Sequence, residues 1–189
     1  PSLLEMFKTY STNEKKIYIM AHFNHPRELT PEAIEGLNLL MKSGVTMVNQ
    51  TPLVAGVNDD PEVLTELFSK LSYIGVPPYY VFLCRPTLGN ETYSVSVERG
   101  YEIFEKSRTL CSGLAKRARL VMSHESGKIE VVGMTEDQIF FKYARAAEND
   151  NNARFMAFYR NPKACWFDDY KEASDEFSLF SETTKAGCL

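Results

Sequence analysis

A few residues of this 189-residue chain combine a reactive side chain with neighbours that would expose it. His22 and His25 flank Asn24, a spacing that at the end of a strand can supply two metal ligands or two hydrogen-bonding imidazoles. Two ligands are not a metal site, and no third His or acidic cluster stands near them, so hydrogen bonding to a ligand or to backbone is favoured. The amides of Asn49-Gln50 either satisfy local backbone or, through Gln50, hold a polar ligand. Lys128 follows Ser126-Gly127. A lysine after a tight turn is ordinarily a solvated cation; one facing a cleft can condense with a carbonyl once its amine has lost its proton. Arg85 is a carboxylate clamp or a solvent-facing charge. Taken alone, these residues describe a pocket and no reaction.

The elements that must position them fall into two textures. Residues 16–22 (KIYIMAH) are rich in β-formers and end in the polar cluster Asn24-His25-Pro26. Thr30-Pro31-Glu32 then opens a helix with a hydroxyl cap, proline at the first position and an acid at the positive end of the dipole. Ile34, Leu37 and Met41 form its apolar stripe, and Gly44 ends it. The pattern restarts with a strand at 45–50, a turn-rich loop, a helix opened by Asp60-Pro61-Glu62 and a third strand at 79–84 (YYVFLC). Strands spaced about 30 residues apart and joined by helices predict parallel βαβ units. Such units carry chemistry at the C-terminal ends of their strands, which puts His22, Gln50 and Arg85 on one rim. After a helix over 97–110, short strands at 119–122, 128–132, 139–144 and 154–159 predict an antiparallel meander packed on the parallel part. The acidic tail after Tyr170 reads as a loose helix or a frayed end.

Composition excludes several classes. Hydrophobic residues make up 44% and charged residues 24% of the chain, a globular rather than a disordered balance. A net charge of −4 with no basic face gives no case for nucleic acid. No apolar run approaches the roughly 18 residues of a membrane span, and no signal pattern opens the sequence. Cys84, Cys111, Cys165 and Cys188 are dispersed without a CxxC pair. Local spacing therefore builds neither a zinc nor an iron–sulfur site, and reduced thiols in cytoplasm are the expectation.

Three segments carry a resemblance. Residues 22–30 (HFNHPRELT), Asn49-Gln50 through Leu53 with Gly56-Val57-Asn58-Asp59, and Pro78-Tyr79-Tyr80 resemble, in order and spacing, signatures of the radical-SAM lysine 2,3-aminomutase family. The agreement covers about residues 16–132. It implies an α/β fold: the C-terminal half of a radical-SAM (β/α) barrel over residues 1–112, then a β-rich extension over 113–189. It also implies S-adenosylmethionine, pyridoxal phosphate and a [4Fe-4S] cluster, with an amino group migrating between adjacent carbons of an amino acid. By this resemblance His22, Gln50 and Phe82 belong to the cofactor-binding positions. Lys128 matches the lysine that holds pyridoxal phosphate.

The cluster-binding CxxxCxxC of the family is absent. The expectation is a C-terminal part, inactive alone, that works with a missing N-terminal half or a partner subunit, with a homo-oligomer as a further option. Where lysine-specific relatives carry an acid after the third strand this chain has Arg85, and the turn before Lys128 is shortened to Ser123-His124-Glu125-Ser126-Gly127. The resemblance thus implies a substrate other than lysine, bound in part by Arg85. Two further functions compete: a non-catalytic cofactor-binding module, and a metal-dependent hydrolase built on His22 and His25.

Overall fold

Thr30 and Asp60 each start a helix, as their chemistry dictates. In the computed structural model, which describes residues 2–171, the Thr30 hydroxyl accepts from the Ala33 N–H at 3.2 Å and opens α2 (Pro31–Lys42). The Asp60 carboxylate accepts from the Glu62 N–H at 2.7 Å and opens α3 (Pro61–Tyr73). Proline follows each cap, where a missing N–H breaks no helical bond. The helices connect β1 (Tyr18–Ala21), β2 (Thr46–Leu53) and β3 (Pro78–Leu83), which pair in parallel. After α4 (Val97–Leu110) comes β4 (Arg119–His124), also parallel to β3. Strands β5 (Gly127–Met134), β6 (Gln138–Ala146) and β7 (Phe155–Tyr159) then add antiparallel neighbours.

The result is one mixed α/β sheet of seven strands in the order β1-β2-β3-β4-β5-β6-β7. Three parallel crossovers advance in the same direction, so right-handed connections put α2, α3 and α4 on one face. The core lies there. Met47, Leu53, Val81 and Leu83 meet Leu64, Leu67, Phe68, Leu71, Ile103 and Phe104, all buried, and each such side chain contributes roughly 1.5–3 kcal/mol. Gly100 lets α4 approach closely: a Cβ there would stand 2.6 Å from a Leu83 methyl. Farther along the same face, Phe141, Phe158, Phe167 and Tyr170 make edge-on ring contacts, the last from the short helix α5 (Asp168–Lys171). The opposite face, bearing Gln50, Pro52 and Phe82 half-buried, carries no helix among the described residues.

Several expectations are corrected. The meander does not pack on the parallel part; β4 bonds to the edge of β3 and continues the sheet. Strand β2 runs on to Leu53 because Thr51 and Leu53 are buried beneath the helices, so Gln50 lies within the strand rather than on a rim. Strand β3 spans Pro78–Leu83, one residue shifted from the expected 79–84, and Arg85 follows it as expected. Helix α1 (Leu3–Tyr10), started by a reciprocal Ser2–Glu5 capping box, has no counterpart in the expected elements. The expected tail after Tyr170 lies outside the described residues apart from Lys171. No helix among the described residues is long and apolar enough to cross a membrane.

Candidate functional site

Most polar residues of the three motif segments are consumed by the scaffold. Asn49, fully buried, accepts from the Phe23 N–H at 2.8 Å and donates to the Phe23 carbonyl at 3.0 Å. Thr51 adds a second donor to that carbonyl at 2.9 Å. Asn58 accepts from the Val54 N–H and donates to the carbonyls of Asn24 and Pro52. Glu28 accepts from the N–H groups of Asn24 and His25, and His25 Nδ1 accepts from the Arg27 N–H at 3.1 Å. These bonds replace the water that the loop backbone would otherwise need. His22, Asn24, Arg27 and Gln50 are left over: none of these side chains has a hydrogen-bonding partner among the described residues, His22 is exposed, and Asn24 Oδ1 is buried without a partner. His25 caps the short helical turn through Nδ1. Among the described residues no group of three or more His, Cys, Asp or Glu side chains is placed to hold a metal ion.

Of these, His22 and Gln50 belong to the helix-free face. Ala21 pairs with Asn49, so His22 and Gln50, next in each chain, are level. Gln50 pairs with Tyr80, and Tyr80 with Arg119. Between Asn49 and Gln50 the partner advances from Pro78 directly to Tyr80, leaving Tyr79 as a bulged residue. A bulge turns two successive side chains toward one face, and the Tyr79 and Tyr80 rings meet edge-on with centroids 4.2 Å apart. Lys128 reaches over from β5: its Nζ lies 4.3 Å from the Tyr80 ring centre and 5.2 Å from that of Phe82. Arg119 stacks on Tyr80, donates to its hydroxyl at 3.2 Å and stands 3.6 Å from Glu130.

This packing tunes the titrating groups. Burial pushes the Lys128 amine below the ordinary lysine range; Tyr79 opposes the shift, and the charges of Arg119 and Arg145 reinforce it. Burial, then the hydroxyl of Tyr79, raises Tyr80 to about 12. Hydrogen bonding from Tyr80 lowers Tyr79, against burial and aided by Arg119 and Lys128. A partly desolvated amine on aromatic rings is held by about 0.5–2 kcal/mol of cation–π attraction, yet it surrenders a proton more readily than a solvated lysine does. Such an amine can attack a carbonyl.

The turn that delivers Lys128 is locked from the other face. His124 is buried and its Nδ1 accepts from the Ser126 N–H at 3.1 Å, so a neutral ring carries its proton on Nε2 and donates to Asp168 at 3.0 Å. The Ser126 hydroxyl lies 2.7 Å from Nδ1 and 2.8 Å from the Tyr143 hydroxyl. Gly127, at φ +137°, faces the Arg145 carbonyl and Ala146 so closely that a Cβ would overlap them.

Of the residues singled out from sequence, Gln50 lies beside Tyr80, which with Phe82 carries the Lys128 amine; His22 is level with Gln50. Arg85 is not part of this cluster: it is exposed on the loop after β3, where its carbonyl accepts from Asn90 Nδ2 at 2.8 Å. Tyr79, Tyr80 and Arg119 were not foreseen. PYY gave them a strand, but the bulge that turns Tyr79 has no local signature. The His124–Asp168 bond spans 44 residues and left none either. Cys84, Cys111 and Cys165 are free thiols in separate places, and Cys188 lies outside the described residues.

No family model matches the chain. A curated protein of Aquifex aeolicus (strain VF5), provisionally assigned as an L-lysine 2,3-aminomutase, is 54% identical over 178 residues, spanning 94% of this chain and 48% of its own. The L-lysine 2,3-aminomutase of Clostridium subterminale is 41% identical over 113 residues, 60% of this chain and 26% of its own. The glutamate 2,3-aminomutase of Clostridioides difficile (strain 630) is 38% identical over 111 residues, 59% of this chain and 26% of its own. A crystal structure of a radical SAM methyltransferase from Sphaerobacter thermophilus aligns at a TM-score of 0.47 and 17% identity, over 65% of this chain and 38% of that one. The chain spans about half the length of the first relative and about a quarter of the other two. With its motif segments in register and its similarity to the first relative running almost end to end, this chain belongs to the lysine 2,3-aminomutase family, whose C-terminal part it represents.

Proposed function

We propose that this chain supplies the C-terminal half of the β/α barrel of a radical S-adenosylmethionine amino acid aminomutase, an isomerase that shifts an amino group between neighbouring carbons. Parallel strands β1–β4 with every crossover helix on one face support a half-barrel whose inner wall is the helix-free face. When bound, S-adenosylmethionine cleaved at a [4Fe-4S] cluster supplies the radical, and pyridoxal phosphate supplies the carbonyl that holds the migrating nitrogen. This chain's own residues do the rest. His22 and Gln50, two of the motif side chains the scaffold leaves free, line the S-adenosylmethionine side. Lys128 holds pyridoxal phosphate, and the rings of Tyr80 and Phe82 keep water from its amine.

The single observation that carries this proposal is the Lys128 amine, 4.3 Å from the Tyr80 ring centre and shifted below the ordinary lysine range by burial. The donor set therefore fits an aldehyde cofactor. Incubating the chain with pyridoxal phosphate, reducing with borohydride and mapping the peptides should place the label on Lys128. Label confined to other lysines, or undiminished labelling of Lys128→Ala, would reject the role.

The edge of β1 favours a companion reading. Among the described residues strand β1 pairs only with β2, and Tyr18 and Met20 beside that edge are exposed. An N-terminal half, on the same chain or on a separate subunit, adds its strands there and brings the cluster cysteines. Arg85 stands where a lysine-specific relative carries an acid, which supports a substrate with an acidic or neutral side chain.

A further inference from the structure

Lys128 sits between two irregularities of its own ladder. On one side, Glu125 and Ser126 form a two-residue loop between the paired residues His124 and Gly127, yet neither takes the positive φ that compact two-residue hairpins favour. On the other side the partner passes from Arg145, opposite Lys128, to Tyr143, opposite Ile129, which leaves Ala144 bulged. Between such a turn and a bulge, backbone pairing alone fixes the register weakly. A slip of one residue would carry Lys128 to the helix-bearing face.

Side chains supply what the turn lacks, and they come from a distant element. The Nδ1 of His124 takes the Ser126 N–H, the Ser126 hydroxyl continues to Tyr143 on β6, and Nε2 meets Asp168 on α5. Helix α5 is seated by bonds of its own. The Asp169 carboxylate accepts from the N–H groups of Cys165 and Trp166 at 2.8 and 3.0 Å, and Tyr170 packs on Phe141. The Phe167 ring lies 5.4 Å from that of His124, whose side chain is only 2% exposed. A neutral imidazole has one donor and one acceptor, and a carboxylate can only accept. Asp168 therefore holds the proton on Nε2 and leaves Nδ1 free for Ser126. The other tautomer would set a lone pair against the carboxylate and an N–H against an N–H.

We propose that His124 and Asp168 are positioning residues for Lys128: through the tautomer of His124, the docked helix α5 holds the β4–β5 turn in the register that lays the amine over Tyr80 and Phe82. Its value to the reaction rests on Lys128 being the carbonyl-condensing amine. Three further titrating or charged groups face that amine, Tyr79 of β3, Arg119 of β4 and Arg145 of β6, and none of them belongs to the turn or to α5. Release of the turn therefore acts on Lys128 by moving it off the rings into water.

The test labels the full 189-residue chain with trace acetic anhydride across a range of pH and reads each lysine by peptide mass. Asp168→Ala removes a side chain that is 51% exposed, so the fold is kept, which circular dichroism verifies. In this variant the Lys128 profile should move to higher pH, because an amine freed from the rings regains water. At a fixed pH below the midpoint its reactivity should fall about threefold or more. Loss of the Asp168 charge alone would move the profile the opposite way. Lys8 and Lys42, exposed on remote helices, should keep their profiles. Asp168→Asn retains an acceptor for Nε2 and should keep the wild-type profile. His124→Asn puts an amide oxygen in the place of Nδ1 with no tautomer to set, and in that background Asp168→Ala should move nothing further. An unmoved or lowered Lys128 profile in Asp168→Ala, or an equal rise in Thr30→Ala, which removes a remote helix cap, overturns the positioning. Pyridoxal phosphate with borohydride separates the two claims: if the acetylation profile shifts as stated while Lys128 takes no pyridoxal label, the cofactor role falls and the positioning stands.

Discussion

At the scale of single residues, the chemistry depends on where a charge can be solvated. The Lys128 amine lies over two aromatic rings and is partly desolvated, so its charged form is disfavoured and its pKa falls below the ordinary lysine value of 10.5. The sign follows directly: at any pH below that value a larger fraction of Lys128 than of an exposed lysine is neutral. The pH profile of pyridoxal phosphate labelling should therefore rise and level off at lower pH for Lys128 than for Lys8 or Lys163, read on the same peptide map. Coincident profiles would show that burial does not tune this amine. Arg85 makes the second prediction at this scale. Two like charges about 4 Å apart repel by roughly 4 kcal/mol at an effective dielectric near 20, and exposure shrinks that figure. Half of it is still worth more than about tenfold, so an enzyme completed with its N-terminal half should turn over lysine at least about tenfold less well than glutamate or glutamine. Arg85→Asp should reverse the ranking. Efficient lysine turnover by wild type would refute the selection. The strands that carry Gln50 and Phe82, and the strand end at His22, were readable from their runs of β-formers, while a cofactor role for these residues was implied by the resemblance alone. Whether Asn49 served a ligand or the backbone was not readable, since the answer lies in Phe23, a residue 26 positions away.

At the scale of elements, hairpin geometry decides where Lys128 points. Gly127 combines a φ of +137° with the near approach of the Arg145 carbonyl, so a side chain there meets both a strained backbone and a hard overlap. Gly127→Ala should cost roughly 2–4 kcal/mol in urea unfolding and lower Lys128 labelling more than a remote substitution of equal cost does. A loss below about 1 kcal/mol would mean that β5 and β6 part easily. Helix starts at Thr30 and Asp60 were legible because their signals lie within three residues. The Ser2–Glu5 box is just as local, and Leu3, Met6, Phe7 and Tyr10 follow it at helical spacing, so this helix was legible in the sequence and was missed. The extension of β2 to Leu53 and the attachment of β4 to β3 were not legible, because both are decided by what packs above the sheet.

At the scale of the molecule, two outer strands bound the open sheet. Strand β1 presents unbonded backbone groups beside exposed Tyr18 and Met20, the arrangement that natural sheets usually cover or charge. The chain on its own should therefore show concentration-dependent self-association in light scattering, reduced in Met20→Lys. A monodisperse monomer at high concentration would argue that this edge needs no neighbour. One further property follows from the strand order. Among the described residues each strand hydrogen-bonds only to the strands just before and just after it in the chain, so each pairing needs only the next strand to be made. Loop closures are short in the antiparallel strands β5–β7 and longer in the parallel crossovers, so the antiparallel strands should pair faster. A chain emerging from the ribosome N-terminus first can lay down this sheet strand by strand, in the order in which it is synthesised.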